Sequence, residues 1–527
     1  MADDLRIALA QMNAVVGDID GNAARVEQLA AQARDAGAHL VVFPELTLTG
    51  YPPEDLLLRR GFLRRAQSAL EALEVEGITA VVGWPEQADG HVFNSAAVVT
   101  GRTVHAVYRK VLLPNYGVFD ERRWFEPGLE PLVVDVGGTP VGITVCEDIW
   151  APEPTEATAV AGARVVVNLS ASPYHHGKGM ERERMIADLA RANSVTMAFC
   201  NLVGGQDELV FDGRSVIVGP DGEVRARGPQ FEDALVLPGD VAEPLSPEEE
   251  IYRALVTGVR DYVDKNGFEK VVIASSGGID SALTVLVAAD ALGPERVVTV
   301  TMPSRYSSEG TKSDARTLSE NLGLELYEIP IEQAVATYDE LLAGAFEGQE
   351  PDITEENLQA RVRGNIVMAL SNKFGWLVLT TGNKSEMSVG YATLYGDMAG
   401  GFAVLKDVFK QWVYRLVRWR NAQAGRDLVP ASVLERPPSA ELRHEQRDDE
   451  SLPPYELLDR ILEGYVENDR DAAELVEQGL PEDEVKRVIR MVDLAEYKRR
   501  QAPPGVKISP KAFGRDRRLP ITNRWRG

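Results

Sequence analysis

The chain has 527 residues, 44% hydrophobic and 26% charged, the make-up of a globular protein with room for two or three domains. A formal net charge of −25 argues against generic binding to nucleic acid or an anionic membrane, and no apolar run approaches the roughly 20 residues of a membrane span. Two cysteines, Cys146 and Cys200, exclude a disulfide framework, and the start "MADDLRIALA" lacks the basic end and apolar core of a signal peptide, so a cytoplasmic protein is expected.

The apolar pattern is α/β throughout. From residue 4 to about 240, strands are predicted at 5–9, 40–43, 79–83, 96–99, 132–136, 141–146, 164–169 and 195–201, with helical spacing near 22–36, 62–74 and 181–193. Many of these strands are continuously apolar, as strands covered on both faces are. Proline and acid residues in "LPGDVAEPLSPEEE" (237–250) read as a linker, and Ser246 before Pro247 and three acids is a good helix start. Beyond it, strands at 271–274, 297–302, 325–329 and 376–380 alternate with helices near 279–292, 312–323, 357–373 and 406–420. That is the rhythm of a doubly wound parallel sheet. After about 425 the pattern is mostly helical and charged, and 433–454 reads as a loop. Domains are accordingly expected at 1–245 and 246–527. From Lys507 to Arg526 seven Lys or Arg stand against Asp516 alone, which makes the tail a candidate anion contact.

Three places in the first half put a reactive side chain just past a strand: Glu45 after "HLVVFP", Lys110 after "HAVYR" and Cys146 after "VGITV". A cysteine becomes a nucleophile when a base takes its proton, and a cation steadies the oxyanion that follows. Glu and Lys supply both. Spacing alone does not unite the three, since a lone buried Cys is ordinarily inert, a lone Lys lies on the surface and Glu after Phe-Pro can cap a helix. Cys200 in "VTMAFCN" stays in the inert class, and the adjacent His175 and His176 splay apart rather than form a metal pair. The segments "FPELTLTGYPPEDLL", "YRKVLLPNYGVFDE" and "CEDIW" resemble the nitrilase superfamily, whose Glu-Lys-Cys triad hydrolyses amides or nitriles on an αββα sandwich. The resemblance spans roughly 4–240. It implies Cys146 as nucleophile, Glu45 as general base, Lys110 as the cation and Glu121 as a second acid. For the glutaminase branch it implies L-glutamine contacts at Tyr116 of "LPNYG" and at Ser172 and Lys178 after "NLSAS", with Lys178 where an arginine often stands.

The second half opens on "VVIASSGGIDSALTVL" (271–286), neither a Walker loop nor a dinucleotide fingerprint. A buried strand, a turn at Gly277 and Gly278 and a helix from Ile279 would aim free N–H groups at one point, which suits an anion. Asp280 would repel phosphate there unless it holds a metal. On the residues alone, a glycine turn capping a buried helix remains open. "SSGGIDSA" resembles the Ser-Gly-Gly-x-Asp-Ser loop of the ATP-pyrophosphatase group, which cleaves ATP to AMP and pyrophosphate. That resemblance implies ATP against Ser275, Ser276, Gly277, Gly278, Ile279, Asp280 and Ser281.

Residues 356–416, "ENLQARVRGNIVMALSNKFGWLVLTTGNKSEMSVGYATLYGDMAGGFAVLKDVFKQWVYRL", resemble the NAD synthetase family, and the likeness covers about 250–520. The fold it implies is adenine nucleotide alpha-hydrolase-like. It implies Thr381 and Lys410 on ATP, Asp280 and Glu386 on Mg2+, and Asn357, Arg361, Glu386 and Lys511 on deamido-NAD, an anion that would explain the basic tail. Together the two likenesses imply ATP-dependent amidation of deamido-NAD with ammonia taken from glutamine, in a homo-oligomer joined through the synthetase half. A protected passage for ammonia is expected, because ammonium is no nucleophile. The alternative is an amidotransferase of the same loop family with another carboxylate acceptor. A non-catalytic nucleotide sensor would be expected to lack Glu45, Lys110, Cys146 or Asp280, and all four are present.

Overall fold

A computed structural model describes residues 5–525, apart from 440, 445 and 447 and the side chain of 449. Arg526 of the basic tail and those positions of the expected loop lie outside the described residues. The chain splits into two compact units, Met1–Glu250 and Ile251–Gly527.

The first unit holds two six-stranded sheets. One runs, in spatial order, Ala234–Val236, Ile7–Gln11, Leu40–Val42, Val75–Ala88, His91–Gly101 and Thr103–Arg109. The other runs Val224–Arg227, Val216–Val218, Thr196–Asn201, Val165–Ser170, Thr139–Val145 and Leu132–Val136. Leu9, Val42, Val81 and Val98 of the first sheet meet Ile143, Val167 and Ala198 of the second in one buried core. On the outer face of the first sheet, Val26, Leu29, Leu63 and Leu70 pack from helices Ile19–Asp35 and Arg60–Ala72. Ile186, Ala187 and Ala190 of helix Lys178–Asn193 cover the outer face of the second. This four-layer order is the αββα sandwich, and it explains why central strands such as Val165–Ser170 are buried at every residue.

The structure extends the predicted 79–83 and 96–99 strands into a long hairpin, Val75–Ala88 with His91–Gly101. Its tip is Asp89 and Gly90 at φ +53 and +85, the left-handed pair of a two-residue turn. The edge strand Thr103–Arg109 escapes the apolar reading because most of its residues are exposed. Ser246 starts helix Pro247–Lys265 as expected, its hydroxyl accepting from Glu249 N at 3.3 Å.

In the second unit five strands lie in the order Glu325–Glu328, Val297–Thr301, Val271–Ala274, Leu377–Thr380 and Phe402–Ala403, all pairs parallel. The chain builds outward from Val271–Ala274 first to one side and then to the other. That reversal opens a crevice at the carboxyl ends of Val271–Ala274 and Leu377–Thr380, where open α/β sheets take their ligands. The later part is helical as predicted, with Leu458, Ile461, Val485, Val488 and Val492 forming its own core.

Candidate active sites

In the first unit Glu45 stands two residues beyond Phe43, in a turn that lies against strand Val75–Ala88. Gly83 of that strand permits the approach, for a Cβ there would lie 2.5 Å from Leu46 N. Lys110 follows Thr103–Arg109 directly. Both side chains are fully buried, and Lys110 Nζ reaches Glu45 Oε1 at 2.6 Å and both Glu121 oxygens at 2.9 Å. Asn94 Nδ2 donates to Glu45 Oε1 at 2.7 Å, and Ala171 N donates to Oε2 at 3.1 Å. Tyr51 closes the far side, its hydroxyl donating to Glu121 at 3.0 Å.

Cys146 is the first residue of the short helix Cys146–Ile149, straight after strand Thr139–Val145, and sits at φ +44. A non-glycine residue held in that region marks stored strain, common where a nucleophile is presented. Burial and then the Glu45 charge push its thiol well up, while Lys110 pulls the other way. The resting thiol is therefore neutral. Burial works against the Lys110 ammonium, but Glu121 and Glu45 outweigh it and hold the charge. Burial also lifts Glu121 to about 7 against the pull of Lys110. A buried cation shared by two carboxylates is stable only as a set, so removing one member leaves a charge uncompensated.

Around this cluster, Tyr116 is exposed and donates to both Glu147 oxygens at 2.9 and 3.1 Å. Ser172 is buried past the end of Val165–Ser170, its N–H given to Asn201 Oδ1 at 2.9 Å. Lys178 opens helix Lys178–Asn193, with Nζ 3.0 Å from Pro173 O and 5.6 Å from the Trp150 ring centre. His175 and His176 diverge, the second toward Glu250 at 3.1 Å, and no cluster of three metal-binding side chains occurs among the described residues. Burial pushes the Cys200 thiol up, and the groups that oppose this are Ser215 and the Ala10 backbone rather than a Glu or Lys.

Tyr51, Asn94 and Glu147 were not singled out from sequence. Asn94 did leave a signal, an amide in the apolar run "VFNSAAVV" that needs a buried partner.

In the second unit a cavity of about 410 Å³ opens at the carboxyl ends of the strands and is lined by the whole Ser275–Ser281 segment. Gly277 has φ +80, and a Cβ there would lie 2.2 Å from Thr311 O. Only glycine fits. Ser276 Oγ accepts from Gly278 N at 3.2 Å and sits 3.2 Å from Ser281 Oγ, fixing the loop at the start of helix Ile279–Leu292. The free N–H groups of that first turn are the kind of donors that a helix start offers to an anion. Ser275 Oγ is buried with no hydrogen-bond partner among the described residues, an orphan donor beside the cavity.

Lys410 Nζ lies 2.5 Å from Asp280 Oδ2 and 3.1 Å from Glu386 Oε1. Asn383 links the Asp280 carboxylate to the start of the helix that carries Glu386, donating to Asp280 Oδ1 at 2.8 Å and accepting from the Glu386 backbone N–H at 3.0 Å. Burial raises Glu386 to about 7, with Lys410 opposing and Asp280 assisting. Magnesium is commonly held by one or two carboxylates, the remaining positions going to phosphate and water. Asp280 and Glu386 beside a phosphate cradle fit that pattern.

Thr381 and Asn357 also line the cavity. Arg361 and Lys511 do not. Arg361 is exposed with Nε 3.2 Å from Leu394 O, and Lys511 pairs with Asp469. The tail is less of a free cation than its composition suggests. Lys507 pairs with Asp516 at 2.7 Å, and Arg517 lies 3.5 Å from Glu496.

Two family models match the chain: carbon-nitrogen hydrolase over residues 6–241 and NAD synthase over 251–502. The glutamine-dependent NAD(+) synthetase of Thermotoga maritima is 49% identical over 571 aligned residues, covering 99% of each chain. That of Acinetobacter baylyi is 45% identical, again over 99% of each. A solved glutamine-dependent NAD+ synthetase from Acinetobacter baumannii, in complex with adenosine diphosphate, is 41% identical with a TM-score of 0.80 over 98% of each chain. The Cytophaga hutchinsonii structure, 23% identical with a TM-score of 0.86, shares the fold. With such likeness along its whole length, the chain belongs to the glutamine-dependent NAD(+) synthetase family.

Proposed function

We propose that the chain amidates deamido-NAD to NAD, using ATP and ammonia released from L-glutamine, and yields AMP, pyrophosphate and glutamate. The observation that carries this reading is the pairing, within one chain, of a buried Glu45–Lys110 set beside Cys146 with a phosphate cradle of about 410 Å³. A glutaminase alone would not need the cradle.

In the first domain (1–245) Cys146 attacks the glutamine amide carbon as its thiol proton passes to Glu45 Oε. Lys110 steadies the tetrahedral oxyanion, and Glu45 returns the proton to the departing nitrogen, releasing ammonia and leaving a glutamyl thioester. Glu45 then activates the water that frees glutamate. Glutamine is a zwitterion, and Glu147 with its Tyr116 partner suits the ammonium while Lys178 suits the carboxylate. Ser172 lies between them in the sequence and completes the contact.

In the second domain (246–527) the Ser275–Ser281 loop cradles ATP phosphates, with Thr381 and Lys410 as further contacts. Lys410 exchanges its carboxylate partners for phosphate oxygens. Magnesium held by Asp280 and Glu386 would offset charge on the leaving pyrophosphate. The nicotinate carboxylate, a poor electrophile by itself, is adenylated, and ammonia displaces AMP from it. Asn357 and Glu386 are placed for the deamido-NAD side at the cavity. For Arg361 and Lys511 the same role rests on the sequence resemblance. Free thiols and these substrates suit a cytoplasmic enzyme. The direct check is incubation with ATP, magnesium, glutamine and deamido-NAD. Equal NAD and AMP are expected, and ADP in place of AMP would contradict it.

The same reading makes the protein a homo-oligomer joined through the synthetase half. Leu341, Ile353 and Phe374 of helices Glu332–Leu342 and Ile353–Phe374 each expose more than half of their surface, apolar area that a second copy would cover. Light scattering should give at least twice the 57.7 kDa chain mass. A stable single-chain particle would contradict the assembly.

A further inference from the structure

One fully buried carboxylate in the first unit has no part in the mechanism above. Asp148 lies two residues beyond Cys146, and four donors converge on it. Oδ1 accepts from Val111 N at 3.1 Å and Leu112 N at 2.8 Å. Oδ2 accepts from Val145 N at 2.9 Å and the Tyr108 hydroxyl at 2.8 Å. Val111 and Leu112 are the first residues after Lys110, and Val145 is the one before Cys146. A single side chain therefore holds the backbone that leaves the cation and the backbone that enters the nucleophile.

We propose that Asp148 is a positioning residue for the amide-cleaving step, fixing Lys110 and Cys146 in register through the peptide groups beside them. The inference rests on the roles proposed for those two residues and adds the device that aligns them. Three observations support it. Lys110 and Cys146 come from different sheets, the first after Thr103–Arg109 and the second after Thr139–Val145, so neither strand ladder alone sets their spacing. Cys146 sits at φ +44, a backbone state that persists only where its surroundings over-determine it, and the Asp148–Val145 bond closes the turn around it. Three of the four partners are backbone N–H groups, which can only donate, so both side-chain oxygens must accept, which a carboxylate does and an amide cannot. Burial pushes the Asp148 carboxyl up to about 6, opposed by the Leu112 and Val145 N–H groups and the Lys110 charge.

The test compares Asp148→Asn, Tyr108→Phe and Cys146→Ala in the full-length protein, measuring NAD formation with glutamine and, separately, with ammonium chloride. Asparagine keeps the shape but turns an NH2 toward donors. For Asp148→Asn, kcat with glutamine should fall about 100-fold, the effect of a misplacement near 1 Å. KM for glutamine should stay within about twofold, because Tyr116, Ser172 and Lys178 keep their places, and ammonium-supported synthesis should also stay within about twofold. Tyr108→Phe removes one donor of the four and should lower kcat by about threefold to tenfold, again at constant KM.

Wild-type kcat in Asp148→Asn, or a loss expressed in KM instead, overturns the proposal. Loss of both activities in Asp148→Asn, with Tyr108→Phe unchanged, shows a carboxylate that supports folding only and overturns it too. If Cys146→Ala still uses glutamine, the failure lies in the nucleophile assignment. If Cys146→Ala is inactive with glutamine while Asp148→Asn is normal, the failure lies with Asp148 alone.

Discussion

Replacing Cys146 with Ala should reduce glutamine-supported NAD synthesis by about 10⁴-fold or more, to background, as loss of a covalent nucleophile does. Synthesis from ammonium chloride should continue near the wild-type rate. The thioester cannot form without the thiol. Cys200 cannot substitute, since it is buried with Ser215 and the Ala10 backbone for company. The phosphate cradle belongs to the other compact unit, which the substitution leaves alone. The ammonium arm is best run at mildly alkaline pH, where more of the nitrogen is unprotonated. Retained use of glutamine would refute the nucleophile. Loss of both activities in a folded variant would refute a scheme in which ammonia is the only link between the sites.

Asp280→Ala should abolish synthesis from glutamine and from ammonium alike, by at least about 100-fold, since electrostatic organisation of a charged transition state is lost. The geometry makes the effect larger than one missing ligand. Asp280 pairs with Lys410 at 2.5 Å and receives Asn383 at 2.8 Å, so its removal frees two groups that organise the cavity. Burial and the shared lysine also set Glu386 near 7, and loss of Asp280 takes away one of the charges that raise it. Glutamine hydrolysis without NAD formation should survive. The readout is NAD and AMP with each nitrogen source, and ammonium-supported synthesis near the wild-type rate would contradict the assigned role.

The layered fold was legible because its inner strands are buried on both faces. Val165–Ser170 and Val297–Thr301 are mostly apolar and buried end to end, and they sit where the pattern put them. What escaped was structure with little core to report. Helix Glu332–Leu342 has no buried residue, and the hairpin arms near Glu86 and His91 are polar. The Asp89–Gly90 pair is the one local signal of that hairpin, the left-handed turn that joins its arms.

In the sites, motif residues lay beside strand ends as expected, but their supports were invisible. Asn94, Tyr51 and Asp148 matter through contacts 40 to 70 positions away along the chain, such as Tyr51 with Glu121 and Tyr108 with Asp148. Spacing carries no trace of such pairs. The partners of the basic tail were hidden for a similar reason. Beside Asp516 within it, its neutralising acids Asp469, Asp493 and Glu496 precede it in the helical part and show only when the chain is folded.

The most direct test of the central claim follows the nitrogen. The wild-type protein is given glutamine labelled with 15N at the side-chain amide, together with ATP, magnesium, deamido-NAD and a modest excess of unlabelled ammonium. The account predicts NAD whose carboxamide carries mainly the label, with glutamate, AMP and pyrophosphate formed in step. NAD carrying only unlabelled nitrogen, or glutamate released with no NAD at all, would contradict it.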